Sequence, residues 1–291
     1  RHFIPRFQEH GEVDVLISGS QAEVALDMPY TYQFHGLGYT FGKRGGIDYV
    51  KSLRDVRLRE FVKDIRALPV DKYDLVISDF EPISAWACQL HHHPCVAMSN
   101  LASFSSPKIP RPSGAPHLSE LILRFYAPGT DIVAFHFDRY DTFIHTPAIR
   151  REVRELEVKN DGHVTVYLPA HDHRDLVRRL VKIRGIKWEI FTKESNQAYT
   201  LGSANVCTVS NEKFLRSLAS CAGLITAGGF ETNAEALFLG KKLLTIPMTW
   251  QYEQQCNGEA LRRMGVTVLE GVGGDFAEQV ESWLTSDDVV Q

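Results

Sequence analysis

Short apolar runs of strand length alternate along the chain with stretches whose apolar residues recur at helical spacing. In the first half, 13–18 reads as a strand after the tail of a helix over 1–10, and 30–34 as another short strand. Residues 48–68 set Val50, Leu53, Leu58, Phe61, Val62 and Ile65 along one side of a long amphipathic helix. Strands are expected at 73–78 and 95–99, separated by a helix that Pro82 opens and His91, His92 and His93 close as a polar turn. The Ser- and Pro-rich stretch 101–116 reads as a long loop. The helix expected at 118–126 carries Leu121, Ile122, Phe125 and Tyr126, either as core or as an acceptor-side or membrane-surface patch. The run 131–137 then closes a first sheet.

The alternation restarts in the second half, with strands at 163–168, 186–191, 222–226 and 243–246. Helices are expected at 172–183, 211–219, 230–239, 253–264 and 276–284, and 192–203 is less regular. Repeated strand–helix units specify parallel sheets covered by helices. The fold class predicted is therefore α/β, with two Rossmann-like domains, 1–146 and 147–291, joined by an extended linker at 144–150 around Pro147.

Composition narrows the function. A formal net charge of −4 argues against a general nucleic-acid binder, which presents a basic surface. The five cysteines, Cys88, Cys95, Cys207, Cys221 and Cys256, form no C-x-x-C pair and read as reduced thiols of a cytoplasmic protein. No apolar run reaches the roughly 18 residues of a spanning helix, and no signal peptide is evident, so only peripheral membrane contact is left open. His171 and His173 form an H-x-H pair without a third ligand in sequence reach, and no metal is expected.

The chemistry concentrates in 222–265. Gly228 and Gly229 let the backbone turn at a strand's carboxyl end, and the helix that follows aims unpaired N–H groups at the same spot, a provision for phosphate. Glu235 lies one helical turn further on, placed to chelate ribose hydroxyls, and Gln254 and Gln255 supply amides for sugar hydroxyls. Phe230 and Thr232 fall within the same turn. In the first half, Asp79 and Glu81 follow a strand, as ligand groups of α/β sheets do, or else merely cap the next helix. The loop at 35–46, with Lys43 and Arg44, is either a surface loop or an acceptor-side or phosphate-contacting one.

The pattern G-G-x-x-T-x-x-E-A-L-x-x-G-K, then P-x-x-x-x-Y-E-Q-Q-x-N, resembles the donor-binding signature of GT-B glycosyltransferases of the MurG-like type. That resemblance implies two domains facing across a cleft and transfer of a sugar, from UDP, to a lipid-linked or glycan acceptor with inversion and without metal or cofactor. It places Arg150, from a P-x-x-R stretch, on the donor, and uracil against the backbone at Ser210 and Asn211, with Phe214 walling the slot or packing as core. It leaves Asp79, Glu81 or a first glycine loop, expected but not found here, as the catalytic base. A hydrolase using the same donor site, and a non-catalytic subunit that needs a partner chain, are the alternatives. The localisation implied is the cytoplasm or the inner face of a membrane.

Overall fold

A computed structural model describes residues 3–19, 29–36, 58–114, 117–195 and 197–286. The chain forms two compact units, one within Arg1–Thr146 and the other built on Pro147–Gln291. The loop at 35–46 and the first half of the helix expected at 48–68 lie largely outside the described residues.

In the first unit, α1 (Ile4–Gln8) precedes β1 (Leu16–Ser18), which pairs in parallel with β2 (Tyr32–Phe34). Helix α2 (Leu58–Ala67) turns Phe61 and Ile65 toward a core of Leu68, Val70, Ile83, Ala87, Cys88 and Cys95. Leu58 and Val62, expected on the same apolar side, are instead exposed. β3 (Val76–Ser78), α3 (Pro82–His91), β4 (Cys95–Ser99), α4 (His117–Phe125), β5 (Asp131–Phe135) and β6 (Ile144–His145) follow, and the four strands form a parallel sheet in sequence order.

Three expectations for this half are corrected. The strand read at 73–78 begins only at Val76, because Val70–Lys72 is a 3-10 turn closed by the Tyr73 N–H on the Val70 carbonyl. The first sheet does not close at 131–137: β6 adds a further strand inside the stretch read as linker, where Ile144 is buried. The stretch 101–116 is not a bare loop either. Leu101–Ser105 is a 3-10 turn, and Ala102, Ser103, Phe104, Ser106 and Ile109 are buried. Ser106 Oγ accepts from the Lys108 N–H at 3.2 Å and donates to Asp141 Oδ2 at 2.8 Å, and Ser99 Oγ, just before the stretch, accepts from the Ala102 N–H at 3.0 Å, so part of a polar composition packs inside. On α4, Leu121 and Phe125 are exposed, which removes the core reading for those two side chains.

The second unit holds α5 (Arg151–Arg154), β7 (His163–Tyr167), α6 (His173–Leu180), β8 (Lys187–Thr192), β9 (Tyr199–Leu201), β10 (Ala204–Thr208) and α7 (Asn211–Ser220). Then come β11 (Gly223–Ala227), α8 (Phe230–Phe238), β12 (Lys242–Ile246), α9 (Tyr252–Arg263), β13 (Thr267–Val268) and α10 (Phe276–Thr285). The sheet order is β13-β12-β11-β7-β8-β10-β9, parallel except for the edge strand β9. That hairpin lies in the stretch read as irregular. Gly202, at a φ of +58°, starts its two-residue turn, a conformation that suits glycine.

Helices cover both faces of this sheet, so its central strands read as continuous apolar runs. Val164, Val166, Ile190, Val206, Ile225, Leu244 and Ile246 meet Leu176, Val177 and Leu180 of α6 and Phe276, Val280 and Trp283 of α10. Gly223 is needed there, since a Cβ would stand 2.8 Å from the Trp283 ring.

Lys241 ties the strand edge to its surroundings. Its ammonium donates to the carbonyls of Lys159 (2.6 Å), Ala219 (2.7 Å) and Cys221 (2.9 Å), and the residue is buried. Burial pulls its pKa below the ordinary lysine value. Lys241→Met keeps the stem but takes the donor from the Lys159 and Cys221 carbonyls, each costing about 1–3 kcal/mol when buried and unsatisfied, while the Ala219 carbonyl keeps the Lys159 N–H. The urea midpoint of this variant is expected to fall by the equivalent of about 2 kcal/mol or more, and an unchanged midpoint would show that water replaces the ammonium.

Candidate functional site

The carboxyl ends of β11 and β12 carry the site in the second unit. Gly228 follows β11 and touches α9 so closely that a Cβ would lie 2.7 Å from the Gln254 carbonyl oxygen. Neither Gly228 nor Gly229 has a positive φ. The requirement at Gly228 is therefore close approach, rather than the sharp turn expected from the sequence. At Gly229 a Cβ would meet nothing within 4 Å, so the space above the turn is open.

Side-chain amides hold this turn. Gln254 Oε1 accepts from the Gly228 and Met248 N–H groups, both at 3.1 Å, and its Nε2 donates to Gln251 Oε1. Gln255 Nε2 donates to the Thr249 carbonyl. Both glutamines read as sugar-binding thus brace the loop between β12 and α9 in this structure. Asn257 Nδ2 donates to the Gly228 carbonyl at 3.0 Å. Asn233, fully buried, donates to the carbonyls of Ala227 (2.8 Å) and Gly229 (2.5 Å) and accepts from Thr245 Oγ1 at 2.6 Å. Sequence reading passed over Asn233, whose only signal was a polar residue on the apolar side of α8.

Gly229 is the N-cap of α8 and brings no side chain to the helix end, so the first-turn amides face the open space without a side-chain cap. Phe230 and Thr232 are half-buried in that turn. One turn in, Glu235 is 4% exposed and receives Arg150 through both oxygens, Nε at 2.5 Å and Nη2 at 3.0 Å. The remaining Arg150 nitrogen, Nη1, donates to Asn211 Oδ1 at 3.0 Å. The Glu235 hydrogen bond raises the Arg150 pKa further above its ordinary value. A carboxylate offers about four acceptor positions, and the arginine takes two, which leaves room for a pair of hydroxyls.

Phe214, half-buried on the first turn of α7, meets Tyr167 edge-on at 5.7 Å and Phe191 at 5.4 Å. This aromatic cluster sits at the carboxyl ends of β7 and β8. Ser210 caps α7 by accepting from the Lys213 N–H at 3.2 Å, and Asn211 is exposed beside it.

In the first unit, Glu81 caps α3. Its carboxylate accepts from the Ile83 N–H (2.9 Å), the Ser84 N–H (2.7 Å) and Ser18 Oγ (2.5 Å). Asp79 is exposed at the carboxyl end of β3. Between them Phe80 stands at a φ of 54°, costly for a bulky side chain, with its ring stacked on Tyr126 at 4.8 Å. Phe80 also walls a cavity of about 380 Å³ with Ala97, Ser99, Ser105, Leu123, Arg124, Ile132 and Phe143, a lining that mixes apolar and polar groups.

Of the H-x-H pair, His171 is held below the usual histidine pKa by burial, and His173 is paired with Glu194.

The chain is similar in structure to the spinosyn forosaminyltransferase SpnP, at 17% identity and a TM-score of 0.57, over 99% of this chain and 87% of that one. It is similar to MurG of Acinetobacter baumannii at 13% identity and a TM-score of 0.57, over 97% and 85%. UGT89C1 of Arabidopsis thaliana, solved in complex with UDP, is similar at 14% identity and a TM-score of 0.56, over 98% and 86%. No curated protein matches the chain. These structures share the GT-B fold with it, and the family model described as glycosyl transferase family 1 matches residues 52–285. The protein is accordingly a glycosyltransferase, and it belongs to glycosyl transferase family 1.

Proposed function

We propose that the second unit binds a UDP-sugar and that the enzyme transfers the sugar to an acceptor hydroxyl with inversion and without a metal. The observation that carries this reading is the buried Glu235, fixed by Arg150 one turn inside a helix whose N-terminal amides face open space. The amides and the helix dipole suit a diphosphate, and the free acceptor positions of Glu235 suit the two ribose hydroxyls. Donors aimed at the leaving diphosphate take the place of a cation. Gln255 and the first-turn residues Phe230 and Thr232 line the sugar side. Asp79, exposed at the carboxyl end of β3, and Glu81, which caps α3, are the candidate bases of the first unit. Exposed Leu121 and Phe125, flanking Arg124, support peripheral membrane contact, and the absence of any membrane-crossing helix among the described residues fits it. Five free cysteines fit a reducing compartment such as the cytoplasm.

Three measurements test the reading. Glu235→Gln and Glu235→Ala are expected to weaken UDP binding by about 1.5–3 kcal/mol in calorimetry, the loss of charged hydrogen bonds. Circular dichroism checks that both variants fold, and unchanged affinity in a folded variant sinks the ribose assignment. Donor turnover is expected to survive EDTA, with product appearing only when an acceptor is added. Strict dependence on restored Mg²⁺ or Mn²⁺ counts against the mechanism, and sugar release into water without acceptor identifies a hydrolase.

The aromatic cluster at Phe214 bears on the base. The reading sets uracil against the backbone at Ser210 and Asn211 with Phe214 as a wall, a place suited to a pyrimidine rather than a purine. UDP is therefore expected to bind more tightly than ADP or GDP by at least ~1.4 kcal/mol, a factor of ten. Competition calorimetry with the three diphosphates decides it, and equal affinities exclude base reading at this place.

A further inference from the structure

A second cluster of chemical groups is made of residues that the proposed reaction does not use. It sits where β7 leads into α6 and where β8 ends. Asp172 caps α6 with one oxygen only: Oδ1 accepts from the Arg174 N–H at 2.7 Å and the Asp175 N–H at 3.2 Å. Its Oδ2 takes no hydrogen bond among the described residues. His173, the first residue of α6, is 7% exposed and sets Nδ1 at 2.9 Å from Glu194 Oε2. Glu194 comes from the turn after β8, held by its own N–H on Thr192 Oγ1 at 3.1 Å. One ligand atom from each of Asp172, His173 and Glu194 lies within 4.8 Å of the other two.

We propose that Asp172, His173 and Glu194 form a zinc site. One imidazole nitrogen and two carboxylate oxygens are a ligand set that zinc takes with water in the fourth position. The imidazole discriminates against magnesium and calcium, which prefer all-oxygen ligands. The buried histidine is the fixed member of the set. The two acids are exposed at their tips and turn inward to reach the ~2.0–2.2 Å of zinc–nitrogen and zinc–oxygen bonds. Two carboxylates this close repel one another, and a divalent ion removes that repulsion. A cavity of about 660 Å³ opens beside His173 and Glu194, walled also by Arg174, Ser195, Gln197 and Tyr199, so the fourth position has room for water. A bound ion would fasten the turn after β8 to the start of α6. In the sheet order β7 stands between β8 and β11, so this site shares the carboxyl ends of β7 and β8 with the aromatic cluster at Phe214 and not the glycine turn after β11. It does not depend on the sugar-transfer reading, and metal-free turnover leaves it untouched.

The test is calorimetry of the whole chain with Zn²⁺ alone, and with Mg²⁺ alone, after treatment with a chelator. One Zn²⁺ per chain is expected, with no heat from Mg²⁺. Glu194→Gln and Asp172→Asn, which keeps the helix cap, are each expected to lower zinc affinity at least tenfold. His173→Ala should lower it further, and zinc should raise the melting temperature of the parent chain but not of Glu194→Gln. The three consecutive histidines His91, His92 and His93 are the rival binder. Absence of zinc binding, affinity unchanged in Glu194→Gln and Asp172→Asn, or zinc lost only when His91, His92 and His93 are all replaced by alanine, overturns the proposal.

Discussion

Strand β11 is buried at every residue, with β7 on one side and β12 on the other. A strand in that position spends its backbone groups on its two neighbours and its side chains on the two helical layers. Polar function is thereby pushed to the one place the sheet leaves open, the turn after Ala227. There the backbone groups that no strand can satisfy are met by buried amides: Asn233 for two carbonyls, Gln254 for two N–H groups and Asn257 for the Gly228 carbonyl. Buried polar groups left unmet are expensive, so this network holds the turn in one shape. That shape leaves Gly229 and the first amides of α8 facing outward.

The same site carries a charge pair that stability alone does not explain. A buried Arg–Glu pair often does no better than an apolar pair of similar volume, since both ions lose water. Arg150 and Glu235 retain hydrogen-bonding capacity beyond each other, with Arg150 also reaching Asn211 and Glu235 keeping acceptor positions. A pair of this kind makes physical sense where a polyhydroxylated ligand completes it. In the first unit the strained Phe80 plays a comparable part. Its left-handed backbone sits between Asp79 and the capping Glu81, and strain of that kind persists only where packing, here the stack on Tyr126, holds it.

By itself the sequence determined most of the β–α order of the second unit, all but α5, β9, β10 and β13, together with the place of the Gly-Gly turn and of Glu235 one turn beyond it. These follow from local rules: buried parallel strands are apolar throughout, and Gly240, with a φ of 63°, ends α8 where its conformational freedom predicts. It also singled out Arg150, Asn211 and Glu235, though not that the three join in one hydrogen-bonded set across 85 residues of chain. Only the tertiary structure decided the rest. That Gln254 and Gln255, read as ligand amides, also brace the loop before α9 depends on which backbone groups the fold brings within their reach, and Asn233 read as nothing because its partners are carbonyls of a neighbouring turn. Leu121 and Phe125 have helical spacing that core and surface share, so periodicity could not place them. Glu194 joined Asp172 and His173 because β7 and β8 are adjacent in the sheet, a pairing set by long-range hydrogen bonds and invisible in local spacing.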